Sequence, residues 1–473
     1  MLKSFFKFSF GSWVASVISL ITVPITTLLI APSEFGKSTL FVLWTNILLQ
    51  FILLGGDSGF MRFFYQTEPA RRGQLLLSSI IPSFFSWVII SCTLIYLWRN
   101  ISTMLIGELD ITIIWLLILQ LLIMLFERYS FLIVRMQQKG ICFSIVRILA
   151  SLITALTLIL YAKYVNADFY AIIYSALASL LTSFLILVIV ERKLWFSSMS
   201  YDKMLVKKIF KFGFPLLFTG FIAMFFEGMD KIMLRHFSTF EELGIYNVAF
   251  KIVAVLAIVQ SSFSTFWVPL SYKTYEKDKY ETSLYEDAFK YVSFILVFLS
   301  FIVIGFRGVL VHILDQKYYN CIDVVPFLVF MPISYTLAEI TTVGINFMNK
   351  TKYYVYIFGG LILVSLLFYS LFVPLWGAKG AALALSLSYL SYFLFRTVVA
   401  IKLYPFRLEP RAFVSMAILF ITAFVNTFIS LQALQLLICI IGFITFIICN
   451  LSTVKYMLNY LKQLKIIWNG KNM

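Results

Sequence analysis

Runs of about twenty apolar residues, parted by short polar turns, recur throughout this 473-residue chain and limit its fold more than any single motif. A helix rising about 1.5 Å per residue needs roughly that many residues to cross the hydrocarbon of a bilayer. The chain offers fourteen such runs, near residues 8–31, 38–60, 76–98, 111–134, 141–162, 169–190, 209–236, 244–270, 289–313, 324–347, 354–373, 380–401, 411–430 and 434–451. Proline and glycine inside several of them are compatible with spanning, because neighbouring helices and hydroxyl side chains can satisfy freed backbone groups. Composition agrees: 61% of the residues are hydrophobic and 13% are charged, whereas a soluble domain carries about 25% charged residues. A string of soluble domains is excluded. The sequence predicts an all-α integral membrane protein of about 14 transmembrane helices, with no stretch left over for a domain outside the membrane.

Thirty-eight Lys and Arg against 22 Asp and Glu give a net charge of +16. In a soluble protein such an excess suggests nucleic acid. In a membrane protein it first reports orientation, since cytosolic loops are enriched in Lys and Arg. With the N-terminus in the cytosol, 27 basic residues fall in or beside inner loops and termini, 7 in or beside outer loops, and 4 inside spans. Most of the charge is therefore topology, both termini are expected in the cytosol, and no nucleic-acid partner is implied. The first run is expected to be a span and not a cleaved leader, being longer than a leader's apolar core and lacking an A-x-A-like site. The five cysteines have no paired spacing, and His236 and His312 lie far apart, so no metal or other cofactor is expected. A phosphate-binding G-x-x-x-x-G-K-[ST] loop is missing, which argues against an ATP-hydrolysing enzyme.

Internal similarity organises the spans. KFSFGSW (Lys7 to Trp13) opens the first and KFGFPLL (Lys211 to Leu217) the seventh; SEFG (Ser33 to Gly36) and EELG (Glu241 to Gly244) close the outer turns that follow. Further on, the segment from Tyr164 to Leu185 parallels that from Val373 to Leu394, each an outer turn leading into a span rich in small residues. The offsets are about 204–209 residues throughout. The expected organisation is a six-helix lobe over 1–198, a second over 199–410, and two extra helices with a basic cytosolic tail over 411–473. An even number of spans per lobe gives a parallel pseudo-twofold repeat, and such two-lobed transporters place a central cavity between lobes and alternate its access.

Several segments in this order resemble a known family: APSEFG (Ala31 to Gly36), GGDSGFMRFF (Gly55 to Phe64), DKIMLRHFSTFEELGIYNVAFKI (Asp230 to Ile252), NKTKYY (Asn349 to Tyr354) and VPLWGAKGAALA (Val373 to Ala384). Nearly the whole chain is similar to polysaccharide flippases of the multidrug/oligosaccharidyl-lipid/polysaccharide exporter superfamily, in their bacterial O-antigen and capsule branch. The resemblance implies two helical bundles around a V-shaped cavity in the bacterial cytoplasmic membrane. It implies translocation of an undecaprenyl-diphosphate-linked oligosaccharide, such as a lipopolysaccharide O-antigen unit, from the cytosolic to the periplasmic leaflet. Partners then include this anionic lipid-linked glycan, membrane lipids, a proton or sodium ion as coupling ion, and a glycan polymerase with its chain-length partner.

Ionisable residues within spans are costly and so mark candidate sites. Arg62, Arg128 and Arg147 lie in the cytosolic half of the first lobe, where a diphosphate would enter, and the guanidinium fork suits phosphate oxygens. The alternative reading for each is a rim charge that snorkels to headgroups. Asp57 closes the second span beside Arg62. In the seventh, Glu227, Lys231 and Arg235 share one helix face, with Asp230 alongside, and Lys231 and Lys251 are expected at matching depth on adjacent helices. This group reads either as a self-neutralising ion-pair cluster or as a cavity site that holds diphosphate or exchanges a coupling ion. Glu339 is a lone acid in the tenth span, and Arg396 a further intramembrane cation. The substrate-binding candidates are thus Arg62, Arg128, Arg147, Lys231 and Lys251; the coupling or ion-pair candidates are Asp57, Glu227, Asp230 and Glu339. The stretches 199–212 and 455–468 read as basic amphipathic helices on the inner surface. Two other functions compete: a cation-coupled drug exporter of the same superfamily, and a multi-span glycan polymerase or glycosyltransferase. The short outer loops disfavour the latter.

Overall fold

The computed structural model describes residues 2–197, 201–348, 350, 352–457 and 459, and among these the regular structure is entirely helical. In chain order the long helices are α1 (Leu2–Leu29), α2 (Pro32–Leu53), α3 (Arg72–Tyr96), α4 (Ile111–Met136), α5 (Gly140–Tyr164), α6 (Phe169–Val190), α7 (Lys203–Phe237) and α8 (Phe240–Lys277). They continue as α9 (Ser283–His312), α10 (Val325–Phe347, in three consecutive pieces), α11 (Lys352–Leu403), α12 (Pro410–Phe428) and α13 (Gln432–Cys449). Twelve described helices are long and apolar enough to cross a membrane, or thirteen when the bent pair Ala433–Cys449 and Leu451–Met457 is taken as one span. This count differs from the fourteen expected runs in taking 354–373 and 380–401 together as α11, which is itself two helices meeting at a kink in the expected turn. Its backbone leaves helical geometry at Gly377 (φ 52, ψ −126), within the expected turn. That φ is open to glycine without a steric cost.

A second difference lies in the run 38–60. Helix α2 stops at Leu53, Leu54 and Gly55 both take positive φ (50° and 75°), and a separate short helix, Gly56–Phe63, follows. Gly55 is needed twice over, since a Cβ there would also lie 2.1 Å from the Gly213 carbonyl oxygen of α7. A break at this depth frees backbone carbonyls that lipid cannot satisfy. Two serines of α3 answer it: Ser83 donates to the Leu53 carbonyl (3.3 Å) and Ser86 to the Phe51 carbonyl (3.1 Å).

A third difference is the stretch 199–212. From Lys203 it forms the first turns of α7, continuous with the span, and Asp202 caps it by accepting from the Met204 and Leu205 amides. Of the stretch 455–468, residues 455–457 and 459 are helical and the remainder lies outside the described residues, as do Met199 and Ser200.

Contacts divide the chain into two compact units, residues 1–247 and 248–473. In the first, α5 packs on α1 and α6, α4 on α2, α3 and α6, and α7 on α2, α3 and the short helix 56–63. Apolar side chains of these helices, among them Phe41, Phe60, Leu75, Leu117 and Leu121, form the core. Many others, such as Phe85, Ile89, Leu156 and Ile189, stay exposed, as spans that face lipid require. The second unit packs α10 against α11 and α9, with α12 and α13 against α9 and each other.

Within the first unit the start of α2 meets the start of α8. A Cβ on Gly36 would lie 1.9 Å from the Phe240 carbonyl oxygen, and a Cβ on Gly244 would lie 1.9 Å from that of Pro32. Residues 32 and 240, and 36 and 244, are each 208 positions apart, so exchanging the two segments reproduces the contact. Asn247 completes it by donating to the Thr39 hydroxyl at 2.6 Å, again positions separated by 208.

Candidate functional site

The helix break presents the first charged group. Asp57 sits in the opening turn of the short helix 56–63, buried, and its Oδ1 accepts from the Ser58 amide at 2.8 Å. Its other oxygen takes two bonds from the Arg128 guanidinium of α4, from Nη2 at 2.9 Å and Nε at 3.3 Å. Arg128 itself keeps 47% of its side chain exposed, so one end of this pair is anchored and the other is open to an anion. Tyr129 braces the same turn of α4: buried, it donates to the Ser79 carbonyl of α3 at 3.1 Å and approaches the Ser83 hydroxyl at 3.4 Å. Glu127 lies within electrostatic range of Arg128 and Arg147.

Arg147 does not sit in a buried pocket. It is exposed on α5, with its guanidinium over the rings of Phe131 (4.7 Å) and Phe143 (5.5 Å). Such stacking holds the cation by the ring quadrupole while leaving its N–H groups free to point elsewhere. Arg62 is exposed in the last turn of the short helix, six positions beyond the break's second glycine.

The charges of α7 pair differently from the expected four-residue ladder. Lys231 binds its neighbour Asp230, with Nζ at 3.1 and 3.2 Å from the two carboxylate oxygens. Asp230 is 1% exposed and also accepts from the buried Tyr246 hydroxyl at 3.0 Å. A carboxylate that deep must be paired, and it draws the lysine to itself in preference to the exposed Glu227, which stays within electrostatic range of both. Arg235 turns onto the ring of Phe240 at 4.0 Å. Lys231 belongs to the first compact unit, and Lys251, half-buried on α8, to the second.

In the second unit Glu339 is not a lone acid. Ser264 donates to it, and Arg396 lies within electrostatic range. Arg396 is buried and cradled: it donates to the Thr342 hydroxyl (3.0 Å) and the Tyr392 hydroxyl, and lies over the rings of Tyr392 (4.8 Å) and Tyr354 (5.2 Å). Tyr354 in turn donates to Asn346 at 2.7 Å, and Thr341 shares a 2.8 Å bond with Thr397. Sequence reading missed this polar cradle. Its signals were the pair Tyr392 and Arg396 at i,i+4 and the adjacent Thr341 and Thr342, polar residues where a lipid-facing span would have none. Also missed was buried Arg307 of α9, which donates to Gln435 of α13 and to the Ile304 carbonyl, both at 2.8 Å.

The fold and these charges together define a multi-pass helical membrane protein whose spans hold cations paired with buried acids. Comparison with known proteins specifies the family. A model of the family described as polysaccharide biosynthesis protein matches residues 1–275, and the chain belongs to that family. The teichuronic acid biosynthesis protein TuaB of Bacillus subtilis (strain 168) is 29% identical over 121 residues; the match spans 25% of this chain and 24% of the relative. Among solved structures, an inward closed conformation of the lipid II flippase MurJ superposes with a TM-score of 0.70 at 15% identity, covering 94% of this chain and 99% of the other. An inward-facing multidrug resistance MATE transporter of the MOP superfamily gives 0.59 at 14%, covering 85% and 96%. At those identities the likeness is one of fold.

Proposed function

We propose that the protein is a flippase that moves an undecaprenyl-diphosphate-linked oligosaccharide, an O-antigen, capsule or related glycan repeat unit, from the cytosolic to the periplasmic leaflet by alternating access. The observation that carries this reading is the conjunction of membership in a polysaccharide biosynthesis family with the fold of a lipid II flippase over 94% of the chain. The diphosphate of such a substrate needs cations inside the membrane that do not collapse onto neighbouring acids. Arg128, half of whose side chain stays exposed while Asp57 anchors it, fits that need. Arg147, with its guanidinium face on aromatic rings and its fork unspent, fits it as well. Lys231, once its pair with Asp230 opens, and Lys251 are the proposed contacts further along the path, and Arg62 a contact at the entrance.

Coupling is assigned to the acids. Asp57, Glu227, Asp230 and Glu339 form or adjoin the ion pairs that a proton or sodium ion would break and re-form in turnover, with the Glu339 and Arg396 neighbourhood as the site proper to the second unit. The expected lobes, 1–198 and 199–410 with two extra helices over 411–473, supply the moving bodies, and both termini are placed in the cytosol of a bacterium.

The decisive experiment uses the full chain in vesicles with an undecaprenyl-diphosphate oligosaccharide and separately imposed proton and sodium gradients. Translocation driven by one gradient, and lost in Arg147→Lys with normal protein level, is expected. No translocation of lipid-linked glycan under either gradient, with dye export instead, would overturn the reading. That outcome belongs to a cation-coupled drug exporter, the second reading favoured by the MATE likeness.

A further inference from the structure

Between the start of α3, the end of α4 and the turn that follows α6, the first unit holds a cavity of about 810 Å³, well within the range of small-ligand sites. It lies between three turns, 65–73, 136–138 and 193–197, and none of its lining residues is acidic. We infer that this cavity binds the phosphate of an anionic phospholipid headgroup, as a resident lipid site separate from the transported substrate.

Arg72 carries the argument. It is the first residue of α3, its guanidinium lies over the Phe64 ring at 4.3 Å, and its Nε is buried without a hydrogen-bond partner. Arg72 itself lines the cavity, among lining residues none of which is acidic, so its guanidinium meets a cavity anion with no competing carboxylate. Lys193 adds a second cation from the opposite turn, and the amide-bearing side chains of Gln137 and Gln138 line the third. Glu191, beside the Lys193 turn, is buried and engaged by Lys139, so it does not neutralise the site.

The walls are fixed in place. A Cβ on Gly73 would lie 1.7 Å from the Ser197 hydroxyl, which joins the start of α3 to the 193–197 turn, and Tyr65 donates to the Met136 carbonyl, which joins the other two turns. These turns all lie at helix ends, the level at which headgroups meet a spanning protein, and basic pockets between helix ends suit anionic headgroups. Phe196, between lining residues Leu194 and Ser197, is 75% exposed and offers an apolar surface next to the charge for an acyl chain.

The test uses the full-length protein in detergent, with native mass spectrometry to count retained lipid and thermal unfolding as a second readout. The wild type is expected to retain phosphatidylglycerol over phosphatidylcholine. Arg72→Gln should weaken that preference roughly tenfold, the loss of one charge-assisted phosphate contact, and Arg72→Gln with Lys193→Gln should abolish it. Arg71→Gln, a charge change outside the cavity, should leave it within about twofold. An unchanged preference in folded double variant overturns the site. Should the Arg72 variants fail to fold, Lys193→Gln and competition on the wild type decide: millimolar inorganic phosphate that displaces phosphatidylglycerol completely would reassign the cavity to a soluble anion, and retention of the lipid supports the headgroup.

Discussion

A single methyl group at Gly36 tests the contact between the starts of α2 and α8. At 1.9 Å from the Phe240 carbonyl oxygen, that methyl must retreat by about 1.5 Å to reach the 3.4 Å of ordinary contact. Backbone faces it on the far side, so no side-chain rotation relieves the clash. Overpacking of this kind costs about 1–3 kcal/mol. Alanine also favours helix over glycine by up to about 1 kcal/mol, but that gain is present whether or not the two segments touch. The arrangement in which they touch is therefore disfavoured by about 1–3 kcal/mol against any in which they part, a factor of roughly 5–150. Disulfide trapping reads this population directly, using cysteines at Thr39 and Asn247, whose side chains hydrogen-bond at 2.6 Å, in a background with the five native cysteines replaced. Gly36→Ala should slow cross-linking at least about fivefold, Gly244→Ala should do the same from the other side, and Gly359→Ala, where nothing lies within 4 Å, should do nothing. Cross-linking at the parental rate in both Gly36→Ala and Gly244→Ala would refute the reasoning.

The Asp57–Arg128 pair should respond asymmetrically. Arg128→Gln strands a buried carboxylate and should lower the unfolding midpoint more than Asp57→Asn, which leaves a half-exposed cation; equal shifts in the two variants would contradict the geometry. Tyr246→Phe removes a donor from buried Asp230 and is expected to cost about 1–3 kcal/mol in denaturant unfolding. Asp110, at the N-cap of α4, is pushed up by burial, but hydrogen bonds from Tyr170 and Thr112 outweigh this and hold its carboxyl below the ordinary carboxylate range. Its folded value being depressed, the stability it adds is present above the unfolded value and is lost as pH falls through the folded one. The difference in melting temperature between wild type and Asp110→Asn should therefore be largest at neutral pH and vanish in strong acid.

The spans were legible because lipid imposes one rule along the whole chain: about twenty apolar residues in a row. Where the reading slipped, a local backbone event competed with that rule. Gly55 and Gly56 were visible in the motif GGDSGFMRFF, yet nothing in the run announced that Leu54 would turn left-handed and end α2, because the compensating groups, Ser83 and Ser86, lie some thirty residues away. At Gly377, by contrast, the expected turn and the non-helical backbone coincide, and Pro374, Gly377 and Gly380 of VPLWGAKG carried the signal. At the candidate site, residue type identified the costly charges but not their partners. Spacing on one face suggested Glu227 for Lys231; burial of Asp230 under Tyr246, a fact of tertiary packing, decided otherwise. Glu339 looked solitary because Ser264 and Arg396, its neighbours, come from other helices.

The contact between Pro32, Gly36 and Phe240, Gly244 is self-complementary, each segment offering the other the surface it receives. Two identical chains would build this pattern around a twofold axis in a homodimer. Carried within one polypeptide, the contact does not require its two segments to be identical. Lys37 bridges Glu34 and Glu108, and Glu34 accepts from the Phe169 amide at the start of α6, whereas the residue 208 positions after Lys37 is Ile245, buried in the apolar interior. One segment is a charged clasp over a helix terminus and the other a greasy plug, a division of labour that a symmetric pair of subunits encoded by one gene could not adopt.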